Sequence, residues 1–257
     1  MTRIAIVTGA SAGLGVEFAR QIDARREVDQ VWLVARRKER LEQTAAQLKH
    51  AEGVIVALDL SVAGAHKKLS SRLEKAGSVD IVWLVNNAGY GLAGKFRKAD
   101  LDRQLNMIDL NCRALTALTG IALRYLKQGS HIVNVGSAAG FMAMPGFAVY
   151  AATKAYVNAF SQALAAELKN DGISVTAVCP GPVATEFQEV AGLTGAAAKS
   201  RFMAQPEDVV RDALKAAAKG EPMSIHGAVM KAYSVLSQVV PRNLVARRGN
   251  LFAERMK

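Results

Sequence analysis

Short apolar runs of strand length alternate with amphipathic helical patterns from end to end of this chain, and few architectures accommodate that alternation. Arg3 to Val7, Gln30 to Ala35, Val54 to Leu58, Ile81 to Val85, Ile132 to Val135 and Ile173 to Val178 read as strands. Helical spacing begins with Leu14, Phe18, Ala19 and Ile22, and covers Lys38 to His50 and, weakly, Ser61 to Lys75. It continues over Asp100 to Leu126 with a break near Asn106, then Pro145 to Leu168 and Pro206 to Lys219. Such an order calls for an α/β doubly wound, mostly parallel sheet with helices on both faces. The length of 257 residues is within reach of one doubly wound unit. No repeat or linker divides the sequence, so a single domain over 1–257 is expected.

Ligands in open parallel sheets bind beyond the carboxyl ends of the strands. The first strand runs straight into Thr8-Gly9-Ala10-Ser11-Ala12-Gly13-Leu14-Gly15, and a helix follows at once. Strand, glycine turn and helix in that order suit an anionic pyrophosphate: glycines allow the tight bend and close backbone approach, and the helix N-terminus attracts negative charge. The second strand ends in Ala35-Arg36-Arg37. An acid there would bind the ribose hydroxyls of NAD, whereas arginine neutralises a 2′-phosphate. The cofactor expected is therefore NADP, with Arg36 as the main contact, Arg37 as the second and Ser11 as an added donor. The plainer alternative is that Arg36 and Arg37 begin a solvated helix.

Farther along, Tyr150-Ala151-Ala152-Thr153-Lys154 places a tyrosine and a lysine one helical turn apart, on one face. A tyrosine titrates near 10 in water, so its use in proton transfer calls for a cation beside it. Ser137 closes the apolar run His131 to Gly136 and can offer a hydroxyl to the same substrate oxygen. By itself a Tyr-to-Lys spacing is as readily a solvated helix face.

Taken together, the glycine turn, Asn86-Asn87-Ala88-Gly89, Asn111, Ser137 and Tyr150 to Lys154 resemble the short-chain dehydrogenase/reductases, in their ordinary single-domain branch. The resemblance runs from Arg3 to about Thr185 and implies a seven-stranded sheet with a substrate lid, here about 186–205. It implies hydride transfer between a nicotinamide and a carbonyl or alcohol carbon, with Tyr150 as acid or base and Ser137 orienting the substrate oxygen. Lys154 would hold the nicotinamide ribose and lower the Tyr150 pKa, and Asn111 would hold a water in a proton relay. By the same resemblance Asp59 and Leu60 meet the adenine, Asn87, Ala88 and Gly89 flank the cofactor ribose, and Pro180, Gly181, Val183 and Thr185 meet the carboxamide. Gly9, Gly13, Leu14 and Gly15 supply the phosphate turn. Ala12 departs from the pattern, since NADP users of this family often carry a basic residue there. The other class of function left open is a dinucleotide-binding sensor without catalysis.

Net charge is +11. Arg242, Arg247, Arg248, Arg255 and Lys257 gather in a basic tail at 241–257, among apolar Leu244, Val245, Leu251 and Phe252. A solvated tail or subunit contact is expected there, with weak peripheral membrane contact as the alternative; no nucleic-acid partner is expected, since no recognition motif accompanies the charge. No apolar run approaches the roughly 18 residues of a membrane span, and cytoplasmic residence is expected. Cys112 and Cys179 read as buried thiols, and His50, His66, His131 and His226 are too dispersed for a metal site, so none is expected. Phe141, Met142 and Met144, with Phe187, Val190, Leu193, Phe202 and Met203 of the lid, suggest an apolar ketone, aldehyde or secondary alcohol as substrate. The resemblance further suggests a homodimer or homotetramer joined near Asn111 and Tyr150.

Overall fold

A computed structural model describes residues 1–193 and 203–240. Seven strands form one sheet, in the order β3-β2-β1-β4-β5-β6-β7, with every pairing parallel. They are β1 (Thr2–Thr8), β2 (Gln30–Ala35), β3 (Glu52–Ala57), β4 (Val79–Asn86), β5 (His131–Val135), β6 (Ser174–Val178) and the two-residue β7 (Met223–Ser224). The helices are α1 (Gly13–Ala24), α2 (Lys38–Ala45), α3 (Ala65–Lys75), α4 (Leu101–Ile108), α5 (Leu115–Ala122), α6 (Ala148–Glu167), α7 (Phe187–Val190), α8 (Pro206–Ala218) and α9 (Ala228–Val239). The fold is the doubly wound, Rossmann-like arrangement in a single domain.

The strands are apolar on both faces because helices cover both. Along β1, Ala5 and Val7 point to one layer, with Phe18 and Ile22 of α1 and Val210 and Leu214 of α8. Ile4 and Ile6 point to the other, with Leu69 and Leu73 of α3, Leu118 of α5 and Leu164 of α6. Alternating residues of a strand face opposite sides, so the four apolar residues Ile4 to Val7 serve two cores. Strand order reverses between β1 and β4, and the crevice at their carboxyl ends is where such sheets take ligands.

The helices depart from the sequence expectation most at the end of α2, at the break after α4 and in an additional helix, α9. The helix begun at Lys38 stops at Ala45 instead of reaching His50, because the buried Asp23 carboxylate accepts the backbone amides of Lys49, His50 and Ala51 at 2.7, 3.0 and 2.7 Å. Burial pushes that carboxyl up, yet the three amide bonds outweigh it and hold it below its ordinary pKa. The irregularity in the tract from Asp100 to Leu126 falls at Asp109–Ala114, a π-helical turn centred on Asn111, while Asn106 stays inside α4. Helix α9 follows β7 without having been anticipated. The basic tail and the 194–202 part of the lid, Phe202 included, lie outside the described residues.

Candidate active site

The glycine turn closes over the junction of β1 and β4. Thr8 is buried, and its hydroxyl donates to Val85 O at 3.2 Å while accepting the amides of Asn87 and Ala88 at 2.9 and 3.0 Å. Asn87 returns its side-chain amide to Thr8 O at 2.9 Å. Gly9 and Gly13 adopt φ of +66° and +54°, the left-handed region that favours glycine. A Cβ at Gly15 would run into the Gly9 carbonyl oxygen, and one at Gly9 would come within 2.7 Å of Asn87 Nδ2. Ala12, at the N-cap of α1, offers no side chain to the first turn, where the Gly15 amide donates to Ala12 O at 3.2 Å and those of Gly13 and Leu14 are left to bind an anion.

Helix α6 carries a second group. Tyr150, Lys154 and Asn158 lie along one buried face at four-residue intervals. Lys154 Nζ donates to Val135 O at 2.7 Å and lies 5.9 Å from the Tyr150 ring centroid. Asn158 Nδ2 donates to Ser137 O at 3.1 Å, fixing the serine's backbone. Ser137 Oγ accepts from Ala139 N at 3.1 Å, which leaves the hydroxyl proton free to point at another oxygen. The π turn brings in Asn111, whose amide pairs with Tyr90 in both directions, accepting from its N at 3.1 Å and donating to its O at 3.0 Å. Its Nδ2 also donates to Thr153 Oγ1 at 3.0 Å. A Cβ on Gly89 would come within 2.8 Å of Asn111 Oδ1 and 3.6 Å of Lys154 Nζ, so only glycine suits that approach.

The electrostatics correct one expectation. Lys154 does not draw the Tyr150 hydroxyl down: burial pushes it up to about 12, opposed by the hydrogen bond to Ser137. Burial likewise pushes Lys154 down to about 8, only partly offset by the nearby Cys112 and Cys179 thiols. Desolvation dominates both residues because the ammonium sits back from the phenol and bonds to Val135 O instead.

One cavity of about 1130 Å³ joins the two groups. Every residue predicted for catalysis or cofactor binding except Gly15 and Asn111 lines it; Gly15 packs beneath the turn, and Asn111 stands behind Gly89 and Thr153. Arg36 and Arg37 stand at the β2 end. Arg37 Nη2 donates to Ser11 Oγ at 3.3 Å, whereas Arg36 Nη1 lies 3.8 Å from Asp59 Oδ2. Asp59 also accepts from Ser61 N and Oγ at 3.0 and 2.7 Å. On the far side, Ala138 N donates to Pro180 O at 3.0 Å, tying the Ser137 loop to the Pro180–Thr185 segment. The glycine turn, the free Gly13 and Leu14 amides of α1 and the guanidinium pair fit a dinucleotide phosphate chain; the amphipathic end at Tyr150 fits its nicotinamide and a substrate.

Comparison with known proteins settles the family. Residues 3–194 match the short chain dehydrogenase family. The chain belongs to the short-chain dehydrogenase/reductases. Sulfoacetaldehyde reductase 2 of Chromohalobacter salexigens is 37% identical over 195 residues, which cover 73% of this chain and 75% of that one. A short-chain dehydrogenase from Sphingobium yanoikuyae, solved in complex with NADPH, has a TM-score of 0.78 at 30% identity, covering 93% of this chain and 97% of that one. The bulky-bulky ketone specific alcohol dehydrogenase from Comamonas testosteroni gives 0.73 at 28%, covering 94% and 96%.

In this short-chain dehydrogenase the substrate end holds residues that sequence reasoning missed. Met230 and Tyr233 of α9, with Tyr90 and Phe147, line the cavity beside the expected Met144, Phe187, Val190 and Leu193. Phe141 instead turns toward Tyr233, 6.5 Å between ring centroids, and neither it nor Met142 lines the cavity. No short motif marks Met230; its only trace is Gly181, where a Cβ would come within 2.6 Å of Met230 Sδ. Asn158 was also missed, although its spacing of four from Lys154 could have found it. Among the described residues no cluster of three or more His, Cys, Asp or Glu could hold a metal ion.

Proposed function

We propose that this short-chain dehydrogenase/reductase is an NADP(H)-dependent oxidoreductase that interconverts an apolar carbonyl compound and its secondary or primary alcohol. The observation that carries this reading is the shared cavity: Ser137, Tyr150 and Lys154 converge at one end and Ser11, Arg36 and Arg37 at the other. When bound, the nicotinamide would supply or accept the hydride. Tyr150, protonated across the physiological range, donates its hydroxyl proton to the substrate oxygen as that oxygen gains charge. Ser137 holds the same oxygen with the hydrogen that its bond from Ala139 leaves free. Lys154 spends one of three donors on Val135 O and lines the cavity, where the other two would serve the nicotinamide ribose. Asn111 keeps Thr153 and Tyr90 in place behind them, and we assign it the relay position on resemblance.

Preference for NADP(H) is supported by two guanidinium groups and the absence of an acid at the end of β2, and by a related dehydrogenase solved with NADPH. An apolar substrate is supported by Met144, Phe147, Phe187, Val190, Leu193 and Met230, and by a related enzyme described as specific for bulky ketones. Because another relative is a sulfoacetaldehyde reductase, a fair panel contains both classes. The test follows absorbance of NADPH and, separately, NADH with bulky aryl or alicyclic ketones and with sulfoacetaldehyde. Faster oxidation of NADPH than NADH, with kcat/KM highest for the ketones, is the expected result. Equal use of both cofactors would contradict the NADP(H) assignment, and a preference for sulfoacetaldehyde would contradict the apolar one. We also propose self-association through the exposed apolar residues of α4, in keeping with its place beside α6.

A further inference from the structure

Both arginines at the end of β2 face a carboxylate, and the two pairs differ in kind. Arg36 meets Asp59, a near neighbour on β3's carboxyl side, at 3.8 Å. Arg37 meets Glu186, which comes from the opposite half of the sheet, 149 residues away, at 3.2 Å. The same Arg37 nitrogen donates to Ser11 Oγ in the glycine turn. Glu186 thus reaches over the crevice mouth from the β6 side and occupies the guanidinium nearest the turn.

A phosphate placed against Ser11 and Arg37 would compete with that carboxylate. It brings more charge and more acceptor oxygens than Glu186, and its approach sets two anions against each other. A ribose with a free 2′-hydroxyl has no such need of Arg37 and gains nothing when Glu186 leaves. We propose that Glu186 is a cofactor-specificity residue, which holds down affinity for a 2′-phosphorylated dinucleotide by competing for Arg37. The proposal rests on reading Ser11 and Arg37 as the phosphate end of the cleft. Removing the charge at 186 should leave the local backbone in place, because α7 is held by other bonds. Gln188 Nε2 donates to Val183 O at 2.6 Å, Phe187 N to Thr185 Oγ1 at 3.3 Å, and Ala93 N to Ala191 O at 2.9 Å.

The test is a fluorescence titration of the full chain with NADPH and with NADH at low ionic strength, for the wild type, Glu186→Gln, Arg37→Gln and the double variant. Both side chains of the pair are about half exposed, so the expected gain is modest. Glu186→Gln should tighten NADPH roughly two- to five-fold and leave NADH unchanged. In the Arg37→Gln background the gain should vanish. The proposal is overturned if Glu186→Gln leaves NADPH binding unchanged or weaker, shifts both cofactors alike, or keeps its gain without Arg37. A wild type that binds both cofactors equally counts against the NADP(H) reading; the competition itself then stands if Glu186→Gln creates a preference and falls if it creates none.

Discussion

Lys154 is a buried cation with one backbone hydrogen bond, and this sets two measurable properties. The first is pH dependence. The proposed reduction requires protons on both Tyr150 and Lys154; the phenol, pushed up to about 12, keeps its proton throughout, while the ammonium, pushed down to about 8, does not. Reductive kcat/KM should therefore fall as pH rises above about 8, and a profile flat to pH 10 would show that the Lys154 charge is not required. The second is stability. A lysine whose folded pKa lies below its unfolded value costs stability while both states are protonated, and the cost disappears as pH rises from the folded to the unfolded value. Lys154→Met should abolish turnover yet stabilise the cofactor-free chain at pH 7, by about 1–2 kcal/mol once the orphaned Val135 carbonyl is allowed for. That advantage should shrink in urea unfolding between pH 8 and 10.5, whereas destabilisation at pH 7 would mean that the ammonium is well solvated.

Among the elements, β1, its glycine turn and α1 do most to define the crevice. Gly15→Ala would force a methyl group against the Gly9 carbonyl oxygen, backbone that cannot yield without moving the turn. We expect NADPH affinity to fall at least ten-fold, with a loss of about 1–3 kcal/mol in unfolding free energy from overpacking. Retained affinity would show that the turn is looser than its contacts suggest. Six of the strands and the α6 face that carries Tyr150 and Lys154 were legible because their signals are local: an apolar run, a glycine turn, a four-residue spacing. What escaped depends on contacts distant in sequence. The π turn at Asn111 coincides with bonds to Tyr90 and Thr153, the early end of α2 with the Asp23 carboxylate, and the part played by α9 with packing against Gly181. A buried chain of amides likewise shows no periodicity. Asn86 Nδ2 donates to Thr119 Oγ1 at 3.0 Å and to Asn134 Oδ1 at 2.9 Å, and Asn134 Nδ2 donates to Ser161 Oγ at 2.9 Å, linking α5 to α6 through the sheet. The Tyr150 pKa was misread for a related reason: spacing predicts a neighbouring ammonium but not how deeply the phenol is buried.

At the scale of the molecule, the expected sites at the carboxyl ends of six successive strands form one crevice, which is why the sheet order matters more than any single motif. A net charge of +11 favours approach of an anionic dinucleotide, so NADPH affinity should weaken with salt beyond the loss of any one contact. No helix among the described residues is long and apolar enough to cross a membrane. Leu101, Leu105 and Ile108 form an exposed apolar stripe on α4 at helical spacing, and Tyr156 is exposed on α6. Leu105→Glu should reduce the mass seen by light scattering toward that of one chain; a wild type that is already monomeric would remove the basis for that expectation. The most direct test of the whole account is a paired measurement on Tyr150→Phe, with NADPH binding by fluorescence and ketone reduction by absorbance on the same sample. The account predicts binding within a few-fold of the wild type and turnover lowered by roughly 10²–10⁴. Turnover that survives the substitution would contradict the role given to Tyr150, and failure of the wild-type chain to bind NADPH would contradict the crevice itself.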